Sequence, residues 1–341
     1  MNPLVSVIIL NWNGWKDTLE CLESLYQINY PNYNVILVDN HSQDQSLEKI
    51  REYCQGQIPL ETKFVKYQEN NKPIKIRELT NQQTGKAEQE ITGYKKGKEI
   101  TEPGKNEFSK KDNSKPVLTL LKNDANYGFA PGNNIAINYT LKAYNPDYIF
   151  LLNNDTVVDP NFLDKLVDSS QNDPEIAVAG PLIYYYDFKG RTDVVANLGG
   201  KINLSKYPGY YDLSDDNSVD DFSEDLIECD WISGAGLLLK VKNSPVKHLN
   251  EKLFFGCEDI DLALNLKEYG YKSVLVKDAF LWHKEGVSRR KRSSEGIKRA
   301  LMEIRSNLTF LKAHQNHFYL YLPVYLIQIF ILYIRVIIGR D

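Results

Sequence analysis

Cysteine is scarce in this chain. The four present, Cys21, Cys54, Cys229 and Cys257, are scattered and form no CxxC pair. That excludes a structural zinc ribbon and fits a reducing compartment. No GxGxxG fingerprint and no GxxxxGK[ST] loop occurs, so the dinucleotide dehydrogenase and P-loop NTPase readings lose their main support. An excess of basic charge is also missing: 41 Lys+Arg stand against 45 Asp+Glu, a net charge of −4. No nucleic-acid partner is therefore expected. The opening Met1-Asn2-Pro3-Leu4-Val5-Ser6 lacks a basic n-region and runs straight into an apolar strand, so no secretory leader is expected. The Asn-x-Thr sites at Asn154 and Asn307 are accordingly expected to stay unmodified. What is present is ordinary for a globular enzyme: 341 residues, 42% hydrophobic and 25% charged. That length holds a sizeable core in one large domain or two small ones.

Hydrophobic pattern gives the organisation. Residues 5–10 and 33–38 are continuous apolar runs, read as fully buried parallel strands. Between them Leu19, Leu22 and Leu25 recur at helical spacing, which makes a βαβ unit. A second helix is predicted from about Asp44 and Ser46. Residues 66–116 differ in composition, with twelve Lys or Arg, eight Asp or Glu, four Gly and only three aromatics. They read as a flexible insertion in which a few short strands are allowed. Further strands are predicted at 117–121, 148–152, 176–181, 237–240 and 274–276. Helices are predicted after Asn134, over 162–167, and from Glu258 to about Tyr269, where Gly270 sits as helix C-caps prefer. Residues 182–228 read as irregular β structure and loops. The pattern as a whole is α/β, a mostly parallel sheet flanked by helices.

Strand ends carry the candidate chemistry, since ligands bind an open α/β sheet there. The strand at 148–152 ends in Asn153-Asn154-Asp155. A carboxylate at that point suits a hard divalent cation bridged to a phosphate, although Asn and Asp are also turn residues. Asp39 ends the second strand, where it either accepts a hydrogen bond from a uracil or thymine imide or caps the following turn; Asn11 ends the neighbouring strand and would help it. Asn126, Gly128, Gly132 and the pair Asn133-Asn134 lie at a helix start, which offers N–H donors to an anion or nucleotide, or is simply a capped loop. Glu258-Asp259-x-Asp261 puts three acids in one helical turn. One acid suffices to complement a helix dipole; a clustered carboxylate in a cleft serves as a general base for a sugar hydroxyl. His283, after the last strand, is either structural or a neutral-imidazole metal ligand.

The segments VSVIILNWNG (5–14), VILVDNHSQDQS (35–46), NYGFAPGNN (126–134), YIFLLNNDT (148–156), WISGAGLLLK (231–240), FFGCEDIDL (254–262) and LWH (281–283) occur in one order. Together they resemble the family 2 glycosyltransferases of the GT-A fold, in particular a rhamnosyltransferase-like subgroup. The resemblance spans residues 4 to about 315. It implies an inverting transfer of a sugar from a UDP- or dTDP-linked donor, rhamnose among the candidates, to a glycan or lipid-linked acceptor in cell-surface polysaccharide synthesis. It implies that Asp39 reads the base. Asp155, with Asn153 and Asn154 in the place of the DxD motif, would hold Mg2+ or Mn2+, with His283 as a further ligand. Asp259 would be the catalytic base beside Glu258, and Trp231 and Gly234 would line the acceptor side. The first acid of the DxD motif is Asn153 here, which implies a weaker metal site. Two rivals are a non-catalytic nucleotide-sugar-binding or scaffolding subunit, against which Asp155 and Asp259 both stand, and a sugar-phosphate nucleotidyltransferase. The latter wants a basic Gly-rich loop after the first strand, which Asn11-Trp12-Asn13-Gly14 is not.

The expected domain boundary falls near residue 287. Residues 284–299 hold seven basic and two acidic residues, expected to adhere to anionic lipid or phosphate. From Ile297, Leu301, Ile304, Leu308 and Leu311 make an amphipathic helix. Residues 318–338 then form a 21-residue apolar stretch whose one charge is Arg335. Its Pro323, Gln328 and tyrosines suit an interface more than a span. The expectation is a membrane-associated helical tail resting on the inner leaflet at the cytoplasmic side of the cell membrane. Burial of the helix in a homodimer interface is the soluble alternative.

Overall fold

The computed structural model describes residues 2–80, 117–253, 256–284 and 295–338 of the chain. Strand β1 (Val5–Asn11), helix α1 (Trp15–Leu25), β2 (Tyr33–Asp39) and α2 (Ser46–Cys54) form the expected opening βαβ unit. β3 (Lys75–Thr80), β4 (Val117–Lys122), α3 (Phe129–Ala143), β5 (Tyr148–Asn153), β6 (Thr156–Val158) and α4 (Phe162–Asn172) follow. Then come β7 (Ile176–Tyr185), the short strands β8 (Val195–Asn197), β9 (Gly200–Ile202), β10 (Tyr210–Asp212) and β11 (Leu226–Cys229), and β12 (Gly236–Lys240). Helix α5 (Glu258–Glu268), β13 (Lys272–His283), α6 (Glu295–His314) and α7 (Phe318–Ile338) complete the chain.

The main sheet runs β11-β13-β7-β12-β5-β1-β2-β4-β3, with β6 added on β13 and β8 on β7. β5, β1, β2, β4 and β3 are mutually parallel, and β12 enters antiparallel between β5 and β7. Parallel strands are covered on both faces, which is why β1, β2 and β5 read as unbroken apolar runs. One face packs Leu19, Leu22 and Leu25 of α1, Ile50 and Tyr53 of α2, and Phe162 and Leu166 of α4. The other packs Ala136 and Ile137 of α3 and Leu262 and Leu266 of α5. A third cluster lies apart from the sheet and joins Trp231, Cys257 and Ile260 to Phe310 of α6 and Tyr325 of α7.

The segment expected to be a flexible insertion departs from that reading at its start. Residues 75–80 are β3, in parallel register with β4 from Lys75↔Val117 to Thr80↔Lys122. Residues just before it are pinned by a buried ion pair, Lys72 Nζ to Glu23 Oε2 at 2.8 Å, with Tyr53 donating its hydroxyl to the same oxygen. Composition reported the polarity of this segment and missed that its charges have partners. Residues 81–116, most of the basic loop (285–294) and the Phe254-Phe255 pair lie outside the described residues. Three expected elements are clearly longer than predicted: α4 continues to Asn172, β7 to Tyr185, and β13 carries through an irregularity between Val276 and Phe280 to His283. Among the described residues no helix is long and apolar enough to cross a membrane.

Candidate active site

The parallel register aligns the strand ends. Asn11 lies opposite Asp39 across β1–β2, and Leu10 opposite Asn153 across β1–β5. Three polar termini thus meet along one sheet edge, the place where this architecture binds ligands.

Asp39 is buried, and its two carboxylate oxygens accept from Asn11 Nδ2 (2.9 Å) and the Ser42 amide (3.0 Å). Turn capping and ligand reading are therefore compatible: each carboxylate oxygen keeps a further lone pair. Asn11 is fully buried; its amide also donates to Ser42 Oγ, and its carbonyl accepts from Thr18. It orients Asp39 and offers no face of its own. Asn154 turns inward to the same network, donating to Thr18 Oγ1 at 3.0 Å.

The helix-start loop is organised by Asn40, which the sequence reading passed over. Its amide nitrogen donates to Asn126 Oδ1 and the Gly128 carbonyl, and its carbonyl accepts from Asn123 and the Tyr127 amide. Gly128 has φ 86°, open to glycine at little cost. A Cβ on Gly132 would meet Leu10 Cδ1 at 2.9 Å and Asn40 Nδ2 at 3.3 Å, so glycine lets α3 close on β1. Asn133 and Asn134 are both buried and spent locally: Asn133 donates to the Phe129 carbonyl, and Asn134 bridges Leu249 and Glu251.

The metal candidates converge because β6 pairs with the end of β13, placing His283 opposite Thr156. His283 Nε2 lies 3.0 Å from Asp155 Oδ1 and 3.5 Å from Asn153 Nδ2. Burial pushes the Asp155 carboxyl up, but the His283 imidazole and the Lys284 charge outweigh it and leave it below the usual carboxylate range. Asp155 is thus anionic and poised toward a cation. Among the described residues no group of three or more His, Cys, Asp or Glu converges. The donor set is one carboxylate and one imidazole with an amide beside them. That set fits a Mg2+ or Mn2+ ion that keeps water and substrate phosphate in its remaining positions. Next to it, Lys284 binds Asp17 at 2.7 Å and Glu20, and lies over the Tyr186 ring.

The acid pair sits at the first turn of α5. Asp259 Oδ2 accepts from the Gly234 amide at 2.7 Å and Oδ1 from the Ile260 amide at 2.9 Å. Burial pushes this carboxyl up, and the backbone donors, Gly234 first, hold it back. Glu258 differs: it is buried, its Oε1 has no hydrogen-bond partner, and burial together with the Asp259 charge pushes its carboxyl to about 8. Burial raises both neighbouring carboxyls, but they are held differently: two backbone amides bind Asp259, while Glu258 Oε1 has no partner. The metal candidates adjoin this turn, because the Asn153 amide donates to the Ala235 carbonyl, one residue from Gly234. Gly234, expected on the acceptor side, is bonded through its amide to Asp259. Trp231 does not present its ring there: it is buried over Gly200 and edge-on to Tyr210.

A family model described as "Glycosyl transferase family 2" matches residues 6–97 and 106–219. No curated protein matches the chain. Among solved structures, the crystal structure of GalNAc-T7 with UDP, GalNAc and Mn2+ is similar over 93% of this chain and 49% of its own, with TM-score 0.57 and 14% identity. The mannosyltransferase PcManGT from Pyrobaculum calidifontis, in complex with GDP-Man and Mn2+, is similar over 91% of this chain and 64% of its own, with TM-score 0.52 and 15% identity. The chain spans about half to two thirds of those proteins, and at such identity the likeness is one of fold.

Proposed function

Since this chain belongs to glycosyl transferase family 2, we propose that it transfers a sugar from a uridine or thymidine diphosphate donor to a hydroxyl acceptor with inversion, using Asp259 as the base. The observation that carries this reading is the geometry at α5, an Asp259 carboxylate held by the Gly234 and Ile260 backbone amides at the first turn. Both structural neighbours were solved with a nucleotide or nucleotide sugar and Mn2+, which supports a nucleotide-sugar donor and a divalent metal here.

The steps follow from the residues. Asp39, oriented by Asn11 and Ser42, accepts the imide N–H of the pyrimidine. Asp155 and His283 would hold a divalent cation, which when bound would offset charge on the departing diphosphate. Asp259 takes the proton of the acceptor hydroxyl as its oxygen attacks the anomeric carbon opposite the leaving group. The new C–O bond forms as the bond to the diphosphate breaks, so no sugar–enzyme bond is needed.

The acceptor on this reading is a glycan or lipid-linked sugar in cell-surface polysaccharide synthesis, with rhamnose among the candidate donor sugars. Helix α7 supports a membrane-surface setting. Tyr319, Leu320, Ile327 and Phe330 are each at least 60% exposed on a helix whose other side is anchored by Tyr325 and Gln328. Such a face suits an in-plane helix at a lipid surface on the cytoplasmic side. Titration calorimetry of UDP, dTDP and GDP with Mn2+ tests the donor site. A pyrimidine nucleotide should bind and should lose affinity in Asp39→Ala; equal binding of all three in both proteins would remove the role given to Asp39.

A further inference from the structure

The catalytic turn is clipped at both ends to one face of α6. Before it, Gly256 (φ 83°) and Cys257 (φ 69°) take left-handed conformations. For a residue with a Cβ that conformation persists only where its surroundings over-determine it. Here they do: Cys257 is buried, and its thiol donates to Asn307 Oδ1 at 2.9 Å. Asn307 is itself fixed, donating to the Tyr207 hydroxyl and accepting from Tyr210. At the other end, Asp261 is buried and accepts from His314 Nε2 at 2.8 Å, with Asn265 and Asn250 on its remaining positions. Cys257 and Asp261 stand one turn apart on α5, and Asn307 and His314 about two turns apart on α6. Phe310, fully buried between them, packs against His314 and Tyr210. Glu258 and Asp259 lie wholly within the clipped turn.

We propose that His314 and Asn307 are positioning residues, and that α6 sets the Asp259 carboxylate against the Gly234 amide. This rests on the reading of Asp259 as the base. The acid cluster alone would read as dipole complementation; the two buried tethers to a helix some fifty residues later in sequence are what single it out. The donor site is built from β1, β2 and β5 and shares no residue with this clip. Loosening the clip should therefore change the chemical step and spare donor binding.

The experiment measures kcat, donor KM and calorimetric donor affinity in His314→Ala, His314→Gln and Asn307→Ala, each normalised to folded enzyme. Misplacing a reacting group by about an ångström costs on the order of 100-fold. His314→Ala and Asn307→Ala should lower kcat by roughly 10- to 100-fold with donor affinity within about twofold, and His314→Gln, which keeps a donor toward Asp261, should recover most of it. Tyr325→Phe removes the tether of α7 to the Leu204 carbonyl without touching α5; its kcat should stay at wild type even where its Tm falls. Wild-type kcat in both alanine variants, or a loss equal in Tyr325→Phe, or parallel loss of donor binding, overturns the proposal. Asp259→Asn is assayed alongside: if it keeps turnover, the reading of the base has failed; if it is inactive while His314→Ala and Asn307→Ala are normal, only the positioning claim has.

Discussion

Replacing Glu258 by glutamine should stabilise the fold and flatten its pH dependence. The side chain is 4% exposed, and its Oε1 has no partner. Its carboxyl stands at about 8 against an ordinary value of 4.5, because burial and then the Asp259 charge penalise the anion. Between those values the folded chain holds a proton that the unfolded chain has released. Stability therefore falls as pH rises from about 4.5 to about 8 and levels off above, the sign expected when the native state binds more protons. Each unit is worth about 1.4 kcal/mol. At pH 7 the penalty is about 1.4 × 2.5, or about 3 kcal/mol, and it approaches about 5 kcal/mol above pH 8. Glutamine keeps the shape and the neutral charge, so Glu258→Gln should gain on the order of 3 kcal/mol at pH 7 and nothing near pH 4. Urea unfolding of both proteins at each pH from 4 to 9 reads this directly. Because the neutral form is the working form, turnover at pH 7 should stay within about tenfold of wild type. A stability gain independent of pH, or a loss at pH 7, would refute the assignment of a buried proton to Glu258.

Other consequences are simpler. Lys72→Ala leaves the buried Glu23 with Tyr53, Gln27 and the Gln68 amide but without its cation, and should cost about 3–5 kcal/mol in chemical denaturation; a cost under about 1 kcal/mol would show that the ion pair does not pin residues 66–80. In Gly200→Ala the new Cβ would lie 2.3 Å from the Tyr211 carbonyl and 2.2 Å from the Trp231 ring. Backbone cannot swing away as a side chain can, so a loss of about 3 kcal/mol or more is expected and a thermal melt checks it. His283→Ala removes the imidazole that holds the Asp155 carboxyl low. The Mn2+ concentration for half-maximal activity should rise at least about tenfold, and an unchanged metal titration would remove His283 from the site.

How much was legible before the structure follows from the range of each interaction. β1, β2 and β5 announced themselves because strands buried on both faces must be apolar throughout. Asp39, Asp155 and Asp259 were legible because a polar residue closing such a strand or opening such a helix needs a partner. What those residues lean on was not. Thr18 and Ser42 look like ordinary helix and loop residues; the β1–α1 turn brings the first to Asn11 and the β1–β2 register the second. Asn40 carried one faint signal, its place next to Asp39 at a strand end. Nothing in sequence joins His314 to Asp261, since the contact is made by α6 crossing a third core cluster. Asn133, Asn134 and Trp231 erred the other way: polar or aromatic residues in a motif read as ligand contacts, and the fold buries them in hydrogen bonds and packing. Residues 75–80 fell within the polar insertion, where short strands were allowed but not placed, because a strand at the sheet edge keeps its charges when, as with Glu78 between Arg51 and Lys122, they are paired.

The most direct test of the central claim is turnover of a panel of nucleotide sugars with and without Mn2+, by wild type and Asp259→Asn. The account predicts metal-dependent turnover of one pyrimidine-linked donor by the wild type, and loss of that turnover in Asp259→Asn with donor binding retained. Undiminished turnover in Asp259→Asn, or no binding of any pyrimidine nucleotide sugar by the wild type, would contradict it.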